Sequence, residues 1–274
     1  MTKKVSSREM GLVLGARLLR TQDLHYGYWE PDLALTLANL PQAQERYTKF
    51  LLGHIPQGVR TVLDVGCGTG HVSQILTQKG YQVEAISPSR ELTRLARERL
   101  GPGFALHATT LEEFRSEKRF DLLLFSESYQ YIPLAASFAQ ARALLKPGGH
   151  VLICDFFRTD APGESPIKGG HDWRKFQAAL AEQPFDVVSD TDITAKTAPN
   201  MDLVNTLLGD FAVPVWEAAE YYLTQNYPRM SRLLGWMFRK RLARLRHKYF
   251  SNQRTGKAFA TYKTYHCILL RMKG

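Results

Sequence analysis

From residue 59 onward, the chain alternates short, continuously apolar segments with stretches of helical periodicity. Strands that are apolar along their whole length are typical of parallel sheets covered by helices on both faces. The first strand segments are VRTVLDVG, YQVEAIS, FALHAT, FDLLLFSES, PGGHVLICDFF and FDVVSDTDIT. Residues 258–272, rich in β-branched and aromatic residues, predict a last strand. The pattern predicts an α/β fold, a Rossmann-like doubly wound sheet of seven strands.

Two regions interrupt this alternation, and we predict that they form a helical cap on the sheet. The first holds the aromatic loop LHYGYWEP between segments of helical spacing at 10–19 and 43–52. The second is a long helical insertion before the last strand, a usual place for substrate specificity. The predicted parts are an N-terminal lid segment (1–58), a Rossmann-like core (59–200), a basic helical insertion (201–257) and the final strand (258–274).

The positive charge of the chain is concentrated near its C-terminus. The 274 residues carry a net charge of +10, yet no Asp or Glu follows Glu220, and 13 of the 36 Lys and Arg residues do. The helix predicted at 230–250 combines these cations with Trp and Phe. Three interpretations fit it: an apolar cap with a solvated basic back, contact with an anionic membrane, or contact with a nucleic-acid backbone.

No apolar run reaches the roughly 20 residues that span a bilayer, and the N-terminus lacks the pattern of a signal peptide. Three cysteines, Cys67, Cys154 and Cys267, cannot all pair and lack the spacing of metal ligands. We therefore expect a cytoplasmic protein without a metal site, whose basic helix is a route to peripheral membrane contact.

The segment VLDVGCGTG, residues 62–70, places three glycines between a predicted strand and a predicted helix. Their spacing matches neither the dinucleotide fingerprint nor a phosphate-binding loop with Gly-Lys-Ser/Thr. Asp64 stands at the start of this turn, where it would repel a pyrophosphate and suit a ligand that bears an amine. The glycines allow the backbone to approach such a ligand closely.

This motif resembles that of the class I S-adenosylmethionine-dependent methyltransferases, and residues 120–132 and 144–155 resemble the family's fourth and fifth strands. The resemblance implies S-adenosyl-L-methionine as cofactor, with S-adenosyl-L-homocysteine as product. It also implies that Asp64 orients the methionine amino group, that the loop backbone contacts the cofactor, and that the Ser126 carbonyl faces the amino group. The loop positions carried over are Gly66, Cys67, Gly68 and Gly70.

Two positions depart from the family pattern. Ser87 stands where the family usually has an acid that binds the ribose, and Thr109 stands where an acid holds the adenine amine, with Leu111 available to line the ring. The segment AISPS, in which Ser87 is followed by Pro88, together with LHYGYWE, is similar to the γ-tocopherol, sarcosine and cyclopropane-fatty-acid relatives. This subgroup belongs to the small-molecule type of the family, together with enzymes of ubiquinone biosynthesis. The resemblance therefore implies a small, hydrophobic or lipid-like acceptor.

The acceptor side of the site has several candidate residues. His171 is the candidate general base, since imidazole titrates near neutral pH, although a structural histidine is the competing interpretation. Tyr129 is a second candidate that could reach the acceptor or pack in the core. The candidate substrate and lid residues are His25, Tyr26, Tyr28, Trp29, Tyr131, Trp173 and Trp216.

Methylation of oxygen, nitrogen or carbon in a small molecule is the expected function. The alternatives are an RNA or protein methyltransferase that uses the basic helix, and a cofactor-binding scaffold without catalysis. Nucleic acid is disfavoured, because the chain has neither an Asn/Asp-Pro-Pro-Tyr motif nor a cysteine after proline.

Overall fold

The predicted apolar segments pair into one central sheet. The computed structural model describes residues 23–250 and 253–274, without the side chains of 211, 212, 242 and 244–250. The strands of the sheet are β1 (Thr61–Val65), β2 (Gln82–Ile86), β3 (Leu106–His107), β4 (Phe120–Ser126), β5 (Leu145–Arg158), β6 (His171–Asp172), β7 (Phe185–Asp192) and β8 (Lys263–Met272). Seven of them follow the order β3-β2-β1-β4-β5-β8-β7, and the two-residue β6 pairs with the end of β5. The predicted Rossmann-like α/β fold is confirmed.

The sheet is parallel from β3 to β5, whereas β8 is antiparallel to both of its neighbours. The chain proceeds from β1 outward to β2 and β3, then returns to the other side of β1 as β4. The strand order therefore reverses at β1 and β4. In sheets of this kind, ligands bind in the crevice at the carboxyl ends of the strands at such a reversal.

Helices cover both faces of the sheet at its centre, which explains why the central strands β1 and β4 are mostly apolar and buried. The helices are α1 (Leu40–Gly53), α2 (His71–Gln78), α3 (Arg90–Leu100), α4 (Leu134–Leu144), α5 (Trp173–Ala181), α6 (Thr194–Thr197), α7 (Pro199–Leu207), α8 (Val213–Asn226), α9 (Pro228–Phe250) and α10 (Gly256–Tyr262). On one face, Leu63 and Val65 belong to a buried cluster that includes side chains of α4 and α5. On the other face, Val62 packs in a cluster with Tyr47 and Leu51 of α1.

The C-terminal strand is shorter than the sequence predicts. Residues 256–262 form α10, where a strand was expected from residue 258. Thr255 caps this helix by accepting a hydrogen bond from the Ala258 amide, and the Phe259 side chain is fully buried. A short apolar run fits helix or strand equally well, and here the N-cap decides for a helix. The division of the chain into four parts stays a prediction, and the predicted helix at 10–19 lies outside the described residues.

The inserted helices form a hairpin with an unusually apolar surface. We define the basic hairpin as α8 and α9, which pack mainly against each other and against the π-helical turn at 208–212. Tyr221, Leu233 and Trp236 are 69%, 59% and 68% exposed. In the described part of the chain, none of the helices combines the length and apolar character needed to cross a bilayer.

Candidate active site at the carboxyl ends of the strands

A cleft of about 380 Å³ opens where the strand order reverses. Its walls come from the glycine loop after β1, the ends of β2 and β4, and the N-terminal lid segment. The predicted site residues that line it are Asp64, Gly66, Cys67, Gly68, Ser87, Ser126, His25 and Tyr131. Residues that are far apart in the sequence thus meet at the edge that this fold uses for ligands.

The glycine loop has a backbone that side chains would obstruct. Gly66 and Gly68 have φ angles of +80° and +57°, in the left-handed region that favours glycine. A Cβ on Gly66 would lie 2.5 Å from the Cβ of Ser128, so a side chain cannot fit there. A Cβ on Gly68 would meet only Leu24 at 3.8 Å, and its position on the cleft wall means that a side chain would project toward the ligand space. Gly70 packs against α3 instead of lining the cleft.

Asp64 is a buried carboxylate on the cleft wall. It is 2% exposed and accepts a hydrogen bond of 2.5 Å from the Ser73 hydroxyl. Burial raises the pKa of Asp64 to about 6. An ammonium group placed beside it would compensate this burial, so the residue fits the amino-acid end of S-adenosylmethionine.

Of the three residues predicted to contact the ribose and adenine, only Ser87 lines the cleft. Ser87 ends β2, is 2% exposed and lines the cleft. Thr109 and Leu111 do not line it, and Leu111 lies instead in the core cluster with Ile86 and Phe114. The cleft wall next to Ser87 is formed by residues that were not predicted, Pro88, Ser89 and Leu92.

The lid segment is held against the glycine loop by a buried carboxylate. Asp23 accepts a hydrogen bond of 2.8 Å from Nδ1 of His71 and lies 3.3 Å from Nε2 of His25. Burial raises the pKa of Asp23, but the two histidines outweigh it and hold that pKa below its usual range. Burial lowers the pKa of His25, but the neighbouring carboxylates of Asp23 and Glu127 outweigh burial and raise that pKa above its usual value. Asp23 and His71 both line the cleft and were not among the predicted site residues.

The other aromatic lid residues lie behind the cleft and anchor the segment. The indole N–H of Trp29 donates to the side-chain oxygen of Asn200 at 3.1 Å, and the same oxygen accepts from the Gly27 amide. Tyr28 stacks on Phe50 at 4.9 Å, and Tyr26 packs among Phe156, Phe259 and Tyr265. None of the three lines the cleft.

Four further candidates also lie away from the cleft wall. Tyr129 is 1% exposed and packs in the core, where its hydroxyl accepts from Ser137 at 2.8 Å, as in the second of its two interpretations; its role at the acceptor stays a prediction. His171 lies on β6, and its Nε2 is 3.1 Å and 2.9 Å from the carbonyl oxygens of Tyr129 and Ile132. Trp173 stacks on His266 at 4.0 Å, and Trp216 lies on α8.

Glu127 is a site residue that the sequence analysis missed. Among the described residues it is the one non-glycine with a positive φ, +54°. Its Oε1 accepts from the Tyr26 amide at 2.7 Å and from the Tyr265 hydroxyl at 2.8 Å. Burial raises the pKa of Glu127, while the positive charge of His25 opposes this effect. Backbone outliers of this kind cluster at functional sites; the available signal was an acid directly after an apolar strand.

Comparison with known sequences places the core of the chain in a family. A family model described as a methyltransferase domain matches residues 37–193, more than half of the chain. The ubiquinone biosynthesis O-methyltransferase of Alkalilimnicola ehrlichii is 32% identical over 134 residues, which cover 43% of this chain and 54% of that protein. That of Xylella fastidiosa is 33% identical over 116 residues, 40% of this chain and 47% of that protein. The chain spans about half the length of the curated relatives that it matches.

Solved structures share the fold over nearly the whole chain. The cyclase SpnF superposes with a TM-score of 0.67 at 18% identity, over 98% of this chain and 96% of that one. A geranyl diphosphate C-methyltransferase from Streptomyces coelicolor, solved with S-adenosyl-L-homocysteine, gives 0.62 at 15% identity, over 90% of this chain and 87% of that one. At these identities the likeness concerns the fold alone. The match over residues 37–193 shows that the chain belongs to the methyltransferase domain family, as the glycine loop predicts, with S-adenosylmethionine as its cofactor.

Proposed function

We propose that the protein transfers a methyl group from S-adenosylmethionine to a small, hydrophobic or lipid-like acceptor. The observation that carries this proposal is one cleft whose wall joins the glycine loop, the buried Asp64, Glu127 and residues 23–25 of the lid segment. Apolar side chains of Leu24, Val72 and Leu92 on the same wall support an apolar acceptor. Relatives named for ubiquinone biosynthesis and geranyl diphosphate methylation point to the same class of molecule.

The chain's own residues would hold the cofactor as follows. Asp64 and the Ser126 carbonyl receive its amino group, and the loop at Gly66 and Gly68 lies against its methionine and ribose. Ser87 offers a hydroxyl to the ribose, without the charge-assisted bonds that an acid would make. When bound, the cofactor supplies an electrophilic methyl group on a positively charged sulfur. Such a displacement depends mainly on positioning and exclusion of water, which the lid segment provides.

Glu127 is our candidate for the group that receives a proton from the acceptor. Its Oε1 is held by two donors, which fixes the carboxylate at the end of β4 and leaves Oε2 for the acceptor. The raised pKa of Glu127 makes it a stronger base than an exposed carboxylate. The role of His171 as base stays a prediction. Its Nε2 lies against two backbone carbonyls, so only its Nδ1 is left to accept a proton.

The test of this function uses methyl-labelled S-adenosylmethionine, the purified protein and a cell extract. The products are separated into organic, small aqueous and macromolecular fractions. We expect the label in the organic fraction, or in small molecules of the aqueous fraction. Label in RNA or protein would contradict the proposed acceptor class, and no incorporation, with intact cofactor binding, would favour a non-catalytic scaffold.

We further propose that the basic hairpin contacts an anionic membrane. In the described part of the chain, no residue of 201–257 lines the cleft, so its exposed apolar surface is not used there. Exposed Arg239, Lys240 and Arg241 lie on α9 with exposed Trp236 and Leu233. Cations beside aromatic and apolar side chains on one helix suit the interface of an anionic bilayer.

Replacing Arg239, Lys240 and Arg241 by Gln is expected to weaken binding to phosphatidylserine-containing vesicles by about 100-fold, since each cation near such a surface contributes about 1 kcal/mol. Vesicle sedimentation measures this, and affinity for S-adenosyl-L-homocysteine should be unchanged. The matched control replaces the exposed Arg60, Lys79 and Arg90 on the core, which removes the same charge. Equal losses in the two variants would mean that net charge, and not the hairpin, governs binding.

A further inference from the structure

Two of the three cysteines lie directly opposite each other in the centre of the sheet. Cys154 on β5 and Cys267 on β8 are register partners in an antiparallel pair, so their side chains share one face. Both are fully buried free thiols, and both belong to the buried cluster on that face of the sheet. Opposed Cβ atoms in such pairs are about 4.5–5.5 Å apart, within a small adjustment of the spacing that a disulfide requires.

An imidazole lies beside one of these two thiols. His54 follows the end of α1, where its Nδ1 donates to the Phe50 carbonyl at 2.9 Å, and α1 packs in the same buried cluster as both cysteines. The hydrogen bonds from Cys154 and His54 lower the pKa of Cys267 to about 6, and the bond with Cys267 raises the pKa of His54 to about 9. A thiolate paired with an imidazolium is the arrangement found in reactive cysteines.

The third cysteine lacks all of these features. Cys67 lies on the cleft wall, and its burial raises the pKa of its thiol well above the usual range. In the described structure, the pKa of Cys67 is influenced by burial and by Asp64, and not by a histidine or a second cysteine. It therefore serves as an internal reference for ordinary, unreactive behaviour.

We propose that Cys154 and Cys267 form a dithiol site that a peroxide oxidises to a disulfide. The Cys267 thiolate attacks one oxygen of hydrogen peroxide, and the O–O bond breaks. The products are a sulfenic acid on Cys267 and a hydroxide that takes the proton of His54, giving water. The Cys154 sulfur then displaces the hydroxyl group of the sulfenic acid, which leaves as a second water with the thiol proton. The two thiols lose two electrons, and the peroxide gains them.

The two thiols have different tasks. Cys267 attacks, because Cys154 and His54 favour its thiolate form; Cys154 resolves, because it lies directly opposite Cys267 across the strand pair. Because both thiols are fully buried, peroxide would have to enter from the side of His54, which is partly exposed. A chain of hydrogen bonds links the site to the cleft. The Tyr47 hydroxyl donates to the Cys154 carbonyl at 3.3 Å and lies 3.0 Å from the Tyr265 hydroxyl, which in turn donates to Glu127.

The test treats the full chain with hydrogen peroxide, alkylates the remaining thiols under denaturing conditions and maps peptides without reduction. We expect free thiols to fall from three to one, with a Cys154–Cys267 linked peptide that dithiothreitol removes and with Cys67 still alkylated. Three free thiols after treatment, or oxidation at Cys67 before the pair, would overturn the proposal. This readout does not depend on methyl transfer.

Variants separate the roles of the three groups. Cys154→Ser should trap a sulfenic acid on Cys267 that dimedone labels, whereas Cys267→Ser should leave Cys154 unlabelled; the opposite result would refute the assignment of the attacking thiol. His54→Gln should slow disulfide formation about tenfold by removing the thiolate's partner. The control is His107→Gln, whose histidine pairs with Glu84; an equal slowing in both would exclude a specific role for His54.

Discussion

Glu127→Gln is expected to lower kcat for methyl transfer by about 10²–10⁴-fold, the usual contribution of a general base. Gln keeps a side-chain oxygen that accepts from the Tyr26 amide and the Tyr265 hydroxyl, so the end of β4 should retain its conformation. The change removes the charge and the proton-accepting oxygen. Two measurements separate catalysis from cofactor binding. One is the initial rate with the acceptor identified in the labelled fraction, and the other is titration with S-adenosyl-L-homocysteine.

The pH profile gives a second readout for Glu127. A base works only when deprotonated, so activity should fall as the pH drops through a pKa that lies above the usual value for Glu. This acid limb should disappear in Glu127→Gln. His171→Ala is the comparison: a severe loss there, with a rate within threefold of the native enzyme in Glu127→Gln, would transfer the role of base to His171.

Gly68→Trp is expected to abolish binding of S-adenosylmethionine, a loss of at least about 100-fold in affinity. The side chain would project from the cleft wall, where the nearest described atom to a Cβ is 3.8 Å away, and an indole is large enough to occupy the cofactor's space. The positive φ of +57° adds strain, which must be separated from the steric effect.

Gly80→Trp is the matched control for that strain. Gly80 has a φ of +90°, follows α2 and has no described atom within 4 Å of an added Cβ. Calorimetric titration with S-adenosyl-L-homocysteine should show native affinity in this variant, and thermal melts should show similar destabilisation in both. Unchanged affinity in Gly68→Trp would show that the cofactor does not bind at the glycine loop.

The parts of the fold and site that were predicted correctly depend on local sequence. Strand, glycine turn and helix follow one another within residues 62–78, so the loop and Asp64 could be identified without knowledge of the fold. Continuous apolar runs identified the buried strands for the same reason. The family, fold and cofactor predictions are confirmed by comparison.

The residues that were missed depend on contacts distant in sequence. Asp23 and His71 meet across 48 positions, and Glu127 and Tyr265 across 138. The surroundings of Leu111 and Tyr129 could not be predicted for a related reason: an apolar or aromatic residue after a strand can face the ligand or the core, and the local sequence does not decide which. Here both contribute to the core cluster under α4 and α5.

Strands β7 and β8 pair in antiparallel orientation, and residues 193–262, which include the basic hairpin, form one long connection between them. The free-energy cost of closing such a connection grows slowly, by about 0.6 kcal/mol for each doubling of its length. The two ends of this connection hold the lid segment, through Asn200 and Leu203 at its start and Phe259 near its end. The basic hairpin between these ends is therefore an exchangeable part: helices of other length or charge could be built there, giving the protein a new attachment while the cleft keeps its walls.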